Sequence, residues 1–287
     1  MKTEKEVLES LVNFAKSTEE VRAVILNGSR VNPNISCDLF SDYDVVYCIK
    51  DPSFFTADLQ WMNNFGERII VQHNTIEKDQ LSWPVYLMIF TNGTRIDLTF
   101  FPVNFVKTMP EDSLKKILLD KDKIFGIIEP PDDFQYLIKQ PTREEFEETL
   151  NEFWFCSTNV AKGIWRKELC YASQMYSIIV HPCLVRILEW HAAMENNWKI
   201  STGKFGKLLP IYLPEDIRNQ FEKTFPGSDY HEIWKSLFIS CDLIRSFGSE
   251  LGRKLGYSYP FDDDSKVLKY IGAIKSLPRD ANSFDSY

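Results

Sequence analysis

Val21-Arg-Ala-Val-Ile-Leu26 runs into Asn27-Gly-Ser-Arg30, and a loop rich in Asn, Pro and Ser then leads to Asp42-Tyr-Asp-Val-Val-Tyr47. The two apolar, β-branched runs read as strands, and the Gly-Ser pair between them as a turn. Alternate side chains on a strand share a face, so Asp42 and Asp44 are expected side by side. Two carboxylates so placed repel unless a cation sits between them, and Mg²⁺, which takes hard oxygen ligands, is the expected occupant. The bland alternative is a solvated edge-strand or loop pair, but Val45, Val46 and Tyr47 place the strand partly inside, where unpaired aspartates are costly. Gly28 lets backbone approach a ligand closely, and its amide with the Ser29 hydroxyl can hold phosphate oxygens. A third acid, Asp97, lies in the apolar alternation Ile96-Asp97-Leu98; its alternative reading is a simple ion pair with Arg95 or a lysine.

Outward from this stretch, Thr3 to Glu6 forms a capping box ahead of Val7, Leu8, Leu11, Val12 and Ala15, which predicts a helix with one buried face. Further strands are expected at 68–72, 85–90 and 94–100, the last two flanking the turn dipeptide Asn92-Gly93. Glu129-Pro-Pro-Asp-Asp133 is the best boundary. From a second capping box, Thr142 to Glu145, the period is helical, with helices expected at about 143–162, 168–195 (kinked at Pro182), 215–225, 229–255 and 263–276. The expected class is α+β. A domain with a mixed sheet of four or five strands and flanking helices (1–133) precedes an all-α helical-bundle domain (134–287).

Composition narrows the function. The formal charge of −8 argues against nucleic-acid binding and would favour a polycationic small molecule. The six cysteines show neither CxxC pairs nor zinc spacing, so most are expected to be small buried hydrophobes in a reducing compartment. A charged N-terminus and the lack of a long apolar run point to a cytoplasmic protein with no membrane partner.

A Gly-Ser turn, twelve intervening residues (30 to 41), an Asp-x-Asp strand and a third strand aspartate resemble the nucleotidyltransferase superfamily signature. Gly28-Ser-Arg-Val-Asn32, Ser41-Asp-Tyr-Asp44, Arg95-Ile-Asp-Leu-Thr99, Leu118-Leu-Asp-Lys-Asp122, Asn151-Glu-Phe-Trp154, Lys162-Gly163 and Trp234-Lys-Ser-Leu237, in that order, resemble the aminoglycoside 6-adenylyltransferases, the streptomycin-modifying enzymes. The resemblance implies Mg²⁺-dependent transfer of AMP from ATP to a hydroxyl of an aminoglycoside, release of pyrophosphate, and antibiotic resistance. It implies that Asp42 and Asp44 hold Mg²⁺, and that Gly28 and Ser29, with Arg30 beside them, hold the ATP phosphates. Asp97 would be a third metal ligand or the general base. Lys204 and Lys207, in Ser201-Thr-Gly-Lys-Phe-Gly-Lys207, would be phosphate contacts; an ordinary solvated basic turn explains them equally well.

The chain departs from the family in three places. Asn27 stands where an acid usually precedes the Gly-Ser turn. Ser173-Gln-Met-Tyr176 replaces an Ile-Asp-His-Leu segment, and His73-Asn-Thr-Ile-Glu77 lacks the usual Pro-Glu-Asp. These changes fall on the acceptor half, so two further readings are carried: AMP transfer to another small-molecule or protein acceptor, and a non-catalytic, antitoxin-like regulatory module. His191 is expected to be a core or cleft histidine, because no partner acid lies at ligand spacing beyond Glu195. Asp262-Asp-Asp264 is expected to serve a helix dipole, and Trp154, Trp165, Trp190, Trp198 and Trp234 to pack.

Overall fold

The computed structural model describes residues 3–78 and 81–284. The chain folds into two compact units, Met1–Gln135 and Tyr136–Tyr287.

In the first unit, α1 (Glu4–Ser17) begins at the expected capping box: the Thr3 hydroxyl accepts from the Glu6 amide and the Glu6 carboxylate accepts from the Thr3 amide. There follow β1 (Val21–Asn27), β2 (Tyr43–Ile49), the short α2 (Ser53–Ala57), β3 (Arg68–Lys78), β4 (Leu81–Phe90), β5 (Arg95–Pro102) and β6 (Lys115–Asp120). They form one mixed sheet in the order β3-β4-β5-β2-β1-β6. Only β2 and β5 run parallel. The sheet has six strands against the four or five expected, because β6 pairs along the outer edge of β1. The β3–β4 hairpin is also longer than expected: His73 to Lys78, beyond the strand expected at 68–72, pair with Tyr86 to Leu81. The Asn92-Gly93 turn is present, with Gly93 at φ +84°.

The two faces of β2 separate structure from chemistry. Tyr43, Val45 and Tyr47 face the core that α1 covers with Val7, Leu11 and Ala15, and the Tyr47 hydroxyl donates to the Leu11 carbonyl at 2.8 Å. Asp44, Val46 and Cys48 therefore point to the opposite face. There, Val46 and Cys48 pack beneath Val103 and Val106, and the open end of the row is left to Asp44.

The second unit holds α3 (Arg143–Trp165), α4 (Leu169–Met175), α5 (His181–Glu195), α6 (Glu215–Glu222), α7 (Tyr230–Leu255) and α8 (Phe261–Ser276). The Thr142 capping box is formed. The expected kink at Pro182 is a π-helical turn, Tyr176–Val180, joining α4 to α5. Proline has no amide proton and its ring crowds the carbonyl four residues back, so the ladder widens by one residue. The His181 amide accordingly donates to the Tyr176 carbonyl, five residues back. Trp154, Trp190 and Trp234 are buried, and Trp165 and Trp198 pack against the same core. Cys48, Cys183 and Cys241 are buried as expected, but Cys37 and Cys170 are exposed.

Asp264 does more than face a helix dipole. It is 1% exposed, receives both arms of the Arg245 guanidinium at 2.7 Å, and accepts from the Tyr259 hydroxyl at 2.9 Å. These bonds fasten the start of α8 to α7. Removing one member of such a pair strands the other, so Asp264→Ala should cost about 3 kcal/mol in urea unfolding. A loss below about 1 kcal/mol, the scale of an exposed pair, would show the pair to be dispensable.

Candidate functional site

Strand register decides which side chains meet. Asp44 on β2 lies opposite Asn27 on β1 and opposite Asp97 on β5, and Asn27 lies opposite Lys115 on β6. Residues directly opposite across a ladder share a face, so Lys115, Asn27, Asp44 and Asp97 form one row across four strands. Asp42 lies just before β2 rather than on it, at the mouth of this row.

One cation in the described residues bridges the acids. The Arg95 guanidinium pairs with both oxygens of Asp97, at 2.9 and 2.7 Å, and lies 3.4 Å from Asp42. The ion-pair reading of Asp97 is thus realised, but by a residue that also serves a second acid of the set. Asp44 keeps its charge with difficulty: burial, then the charges of Asp97 and Asp42, push its carboxyl up to about 6, against the pull of Arg95. A divalent cation would reverse that balance, so the donor set fits a hard dication held by Asp42 and Asp44, with Asp97 beside them. The Asn27 side-chain oxygen, Oδ1, is buried with no hydrogen-bond partner among the described residues, a further oxygen acceptor in the same row.

Gly28 opens a single 3-10 turn, Gly28–Val31, at φ +77°. A Cβ there would run into the Asp44 carboxylate, 3.2 Å from its Cγ, so only glycine fits. Its amide donates to the Leu114 carbonyl at 3.1 Å and is therefore committed to the sheet edge. The Ser29 hydroxyl stands beside it as the side-chain donor of the turn. Arg30 is also committed. It donates to the Asp42 carbonyl at 3.0 Å, the Ser41 carbonyl at 2.5 Å and Glu4 at 3.1 Å, and stacks 3.6 Å above the Tyr43 ring. These contacts fasten the loop that delivers Asp42.

Lys204 and Lys207 lie in the helical unit. Both are exposed, on a loop where Gly203, Phe205 and Gly206 all have positive φ. Lys207 borders a cavity of about 670 Å³ with Arg186, Glu189 and Phe221. Two features near the carboxylate row escaped sequence reasoning. Asp112 accepts from the Asn27 side-chain amide at 3.3 Å, and a cavity of about 300 Å³ beside it is lined by Glu111, Asp112, Glu129 and Asp132. Their only signal is acidity in a loop without periodicity; strand β6, also missed, carries them to the row.

The streptomycin adenylyltransferase family model matches residues 1–274. The chain belongs to that family. It is 36% identical over 280 residues to the aminoglycoside 6-adenylyltransferase of Bacillus subtilis (strain 168), covering 96% of this chain and 98% of the relative. It is also 36% identical over 280 residues to the enzyme of that name from Campylobacter jejuni, covering 94% and 95%. A crystal structure of an aminoglycoside 6-adenyltransferase from Bacillus subtilis aligns with TM-score 0.49 and 32% identity, covering 96% of this chain and all of that one. Family membership makes the chain an adenylyltransferase, with ATP as co-substrate.

The Asp44 environment gives this adenylyltransferase a pH signature. Its folded carboxyl titrates near 6 against 3.8 for the free group, so the folded state holds the extra proton between those values. By linkage, wild-type stability in the absence of divalent ions falls as pH rises from about 4 to 6. Asp44→Asn removes this term, so the variant's stability relative to wild type should climb across that window, by at most about 3 kcal/mol. Parallel urea titrations at pH 4 and pH 7 check the sign; a constant difference would contradict the crowding of the three acids.

Proposed function

We propose that this chain transfers AMP from ATP to a hydroxyl of a streptomycin-like aminoglycoside, with Mg²⁺ bound at Asp42 and Asp44 and pyrophosphate released. The observation that carries the reading is the row that sets Asp44 against Asp97 beside the Gly28 turn. Bound Mg²⁺ would neutralise phosphate charge as the bond to the leaving pyrophosphate breaks.

The protein's own groups do the rest. Ser29 holds phosphate oxygens, and Gly28, without a Cβ, lets them approach. Arg30 fixes the loop end so that Asp42 meets Asp44. Asp97 takes the proton from the acceptor hydroxyl as its oxygen forms the new bond to the α-phosphorus. Arg95 occupies both Asp97 oxygens, so it must release at least one for that step. Lys204 and Lys207 are assigned to the nucleotide phosphates. The acid-lined cavity at Glu111, Asp112, Glu129 and Asp132 supports a polycationic acceptor, which charge would draw to it. We infer that the reaction runs in the cytoplasm, where ATP is supplied.

Pyrophosphate release from ATP and Mg²⁺ should require streptomycin or a close relative and leave the drug heavier by AMP. Release with another acceptor alone would keep the chemistry and replace the substrate. Absence of release with any acceptor, despite ATP binding, would favour the regulatory alternative. Asp97→Asn separates the two roles of that acid. As a base, its loss should lower kcat by about 10²–10⁴-fold with ATP affinity kept; a matching loss of Mg²⁺-dependent ATP binding would make it a metal ligand.

A further inference from the structure

The helical unit carries a second convergence of ligating groups, independent of the carboxylate row. His191 and Glu195 lie four residues apart on α5, hence on one face. Glu250 reaches them from α7, with its Oε2 3.0 Å from His191 Nε2. One ligand atom from each of the three residues lies within 4.8 Å of the others. We propose that His191, Glu195 and Glu250 bind a divalent transition-metal ion, zinc being the natural occupant, and that the ion clamps the C-terminal turn of α5 to α7.

Three observations carry this. The His191 ring stands at 90° against Phe247, with centroids 4.7 Å apart, so its ligand nitrogen is oriented before any ion arrives. The last turn of α5 contains no basic residue and ends on Glu195. An acid at that pole is opposed by the helix dipole, and a cation there relieves both. The site also already draws a cation: the Lys254 ammonium reaches Glu195 Oε1 at 2.5 Å and Glu250 Oε1 at 3.2 Å.

A dication competes well for that place. Two carboxylates and a neutral imidazole cancel its charge, and it bonds the donors directly where the ammonium only hydrogen-bonds them. Donors around tetrahedral zinc, bonded at about 2.0–2.2 Å, stand roughly 3.5 Å apart, so a modest rotation of the exposed Glu195 side chain closes the site. Imidazole selects zinc, cobalt or nickel over magnesium, which keeps this ion chemically distinct from one at Asp42 and Asp44.

The test titrates the full chain with Co²⁺ in saturating Mg²⁺, following visible d–d absorption, for wild type, His191→Gln, Glu250→Gln and Lys254→Met. His191→Gln also supplies the background from exposed Cys37 and Cys170. Wild type should bind Co²⁺ with ligand-field bands that Zn²⁺ abolishes. His191→Gln and Glu250→Gln, each folded by circular dichroism, should bind about tenfold more weakly or worse. Lys254→Met should bind more tightly than wild type, because the competing ammonium is gone. A salt-bridge cluster with no metal role would give the same titration for wild type and His191→Gln, and that result overturns the proposal. So would a Lys254→Met variant that binds no more tightly, since the ammonium would then not share the ion's place.

Discussion

Three carboxylates fastened in and beside one sheet row repel, and the strands leave them little freedom to part. Asp44 is held opposite Asp97 by the β2–β5 ladder, while Asp42 is held at its mouth by the Arg30 clamp. Backbone pairing sets Asp44 against Asp97, the Arg30 side chain holds the loop end that carries Asp42, and the crowding appears as an Asp44 carboxyl pushed up to about 6. Arg95 relieves two of the acids from the exposed side. Much of the first unit serves this constraint: α1 covers the opposite face of the sheet, and Gly28 lacks the Cβ that would strike Asp44.

In the helical unit, by contrast, several buried polar side chains bond to one another and to backbone carbonyls. Tyr176 donates to the Thr224 carbonyl and also meets Ser240, while His181 meets the Thr224 hydroxyl at 2.9 Å. Burial drives the His181 ring down to about 4, so it stays neutral in the core at neutral pH. The π-helical turn lies between these two residues, and so the place where Pro182 disturbs the ladder is also where polar side chains secure the backbone. This is the stretch in which Ser173-Gln-Met-Tyr176 departs from the family's pattern; Tyr176 there is a core residue, not a surface group awaiting a ligand.

What could be read in advance was what depends on local chemistry. Both capping boxes, the Gly-Ser turn, the Asn-Gly hairpin and the long helical stripes follow from residues within a few positions of one another. Strand β6 was missed because Lys115-Lys-Ile-Leu-Leu-Asp120 shows no two-residue alternation and is held by pairing with β1, almost a hundred residues earlier. The outer half of β3 was missed because its residues are polar and mostly exposed, as an edge strand tolerates. The same limit applies at the sites. The three aspartates stood out as acids among apolar neighbours, but Arg95 bridging two of them, Asp112 beside Asn27, and Glu250 beside His191 are products of tertiary pairing. The reading of His191 as lacking a partner beyond Glu195 was correct along the chain and incomplete in space.

The central claim is that the row built on Asp44 and Asp97, with Asp42 at its mouth, is a divalent-cation site that receives ATP. Crystals grown with Mn²⁺ and a non-hydrolysable ATP analogue test it directly through the anomalous signal of the metal. The account expects a manganese peak bonded to Asp42 and Asp44, with the analogue's phosphates at Ser29. A bound analogue whose metal lies elsewhere, with Arg95 still bridging Asp42 and Asp97, would contradict it.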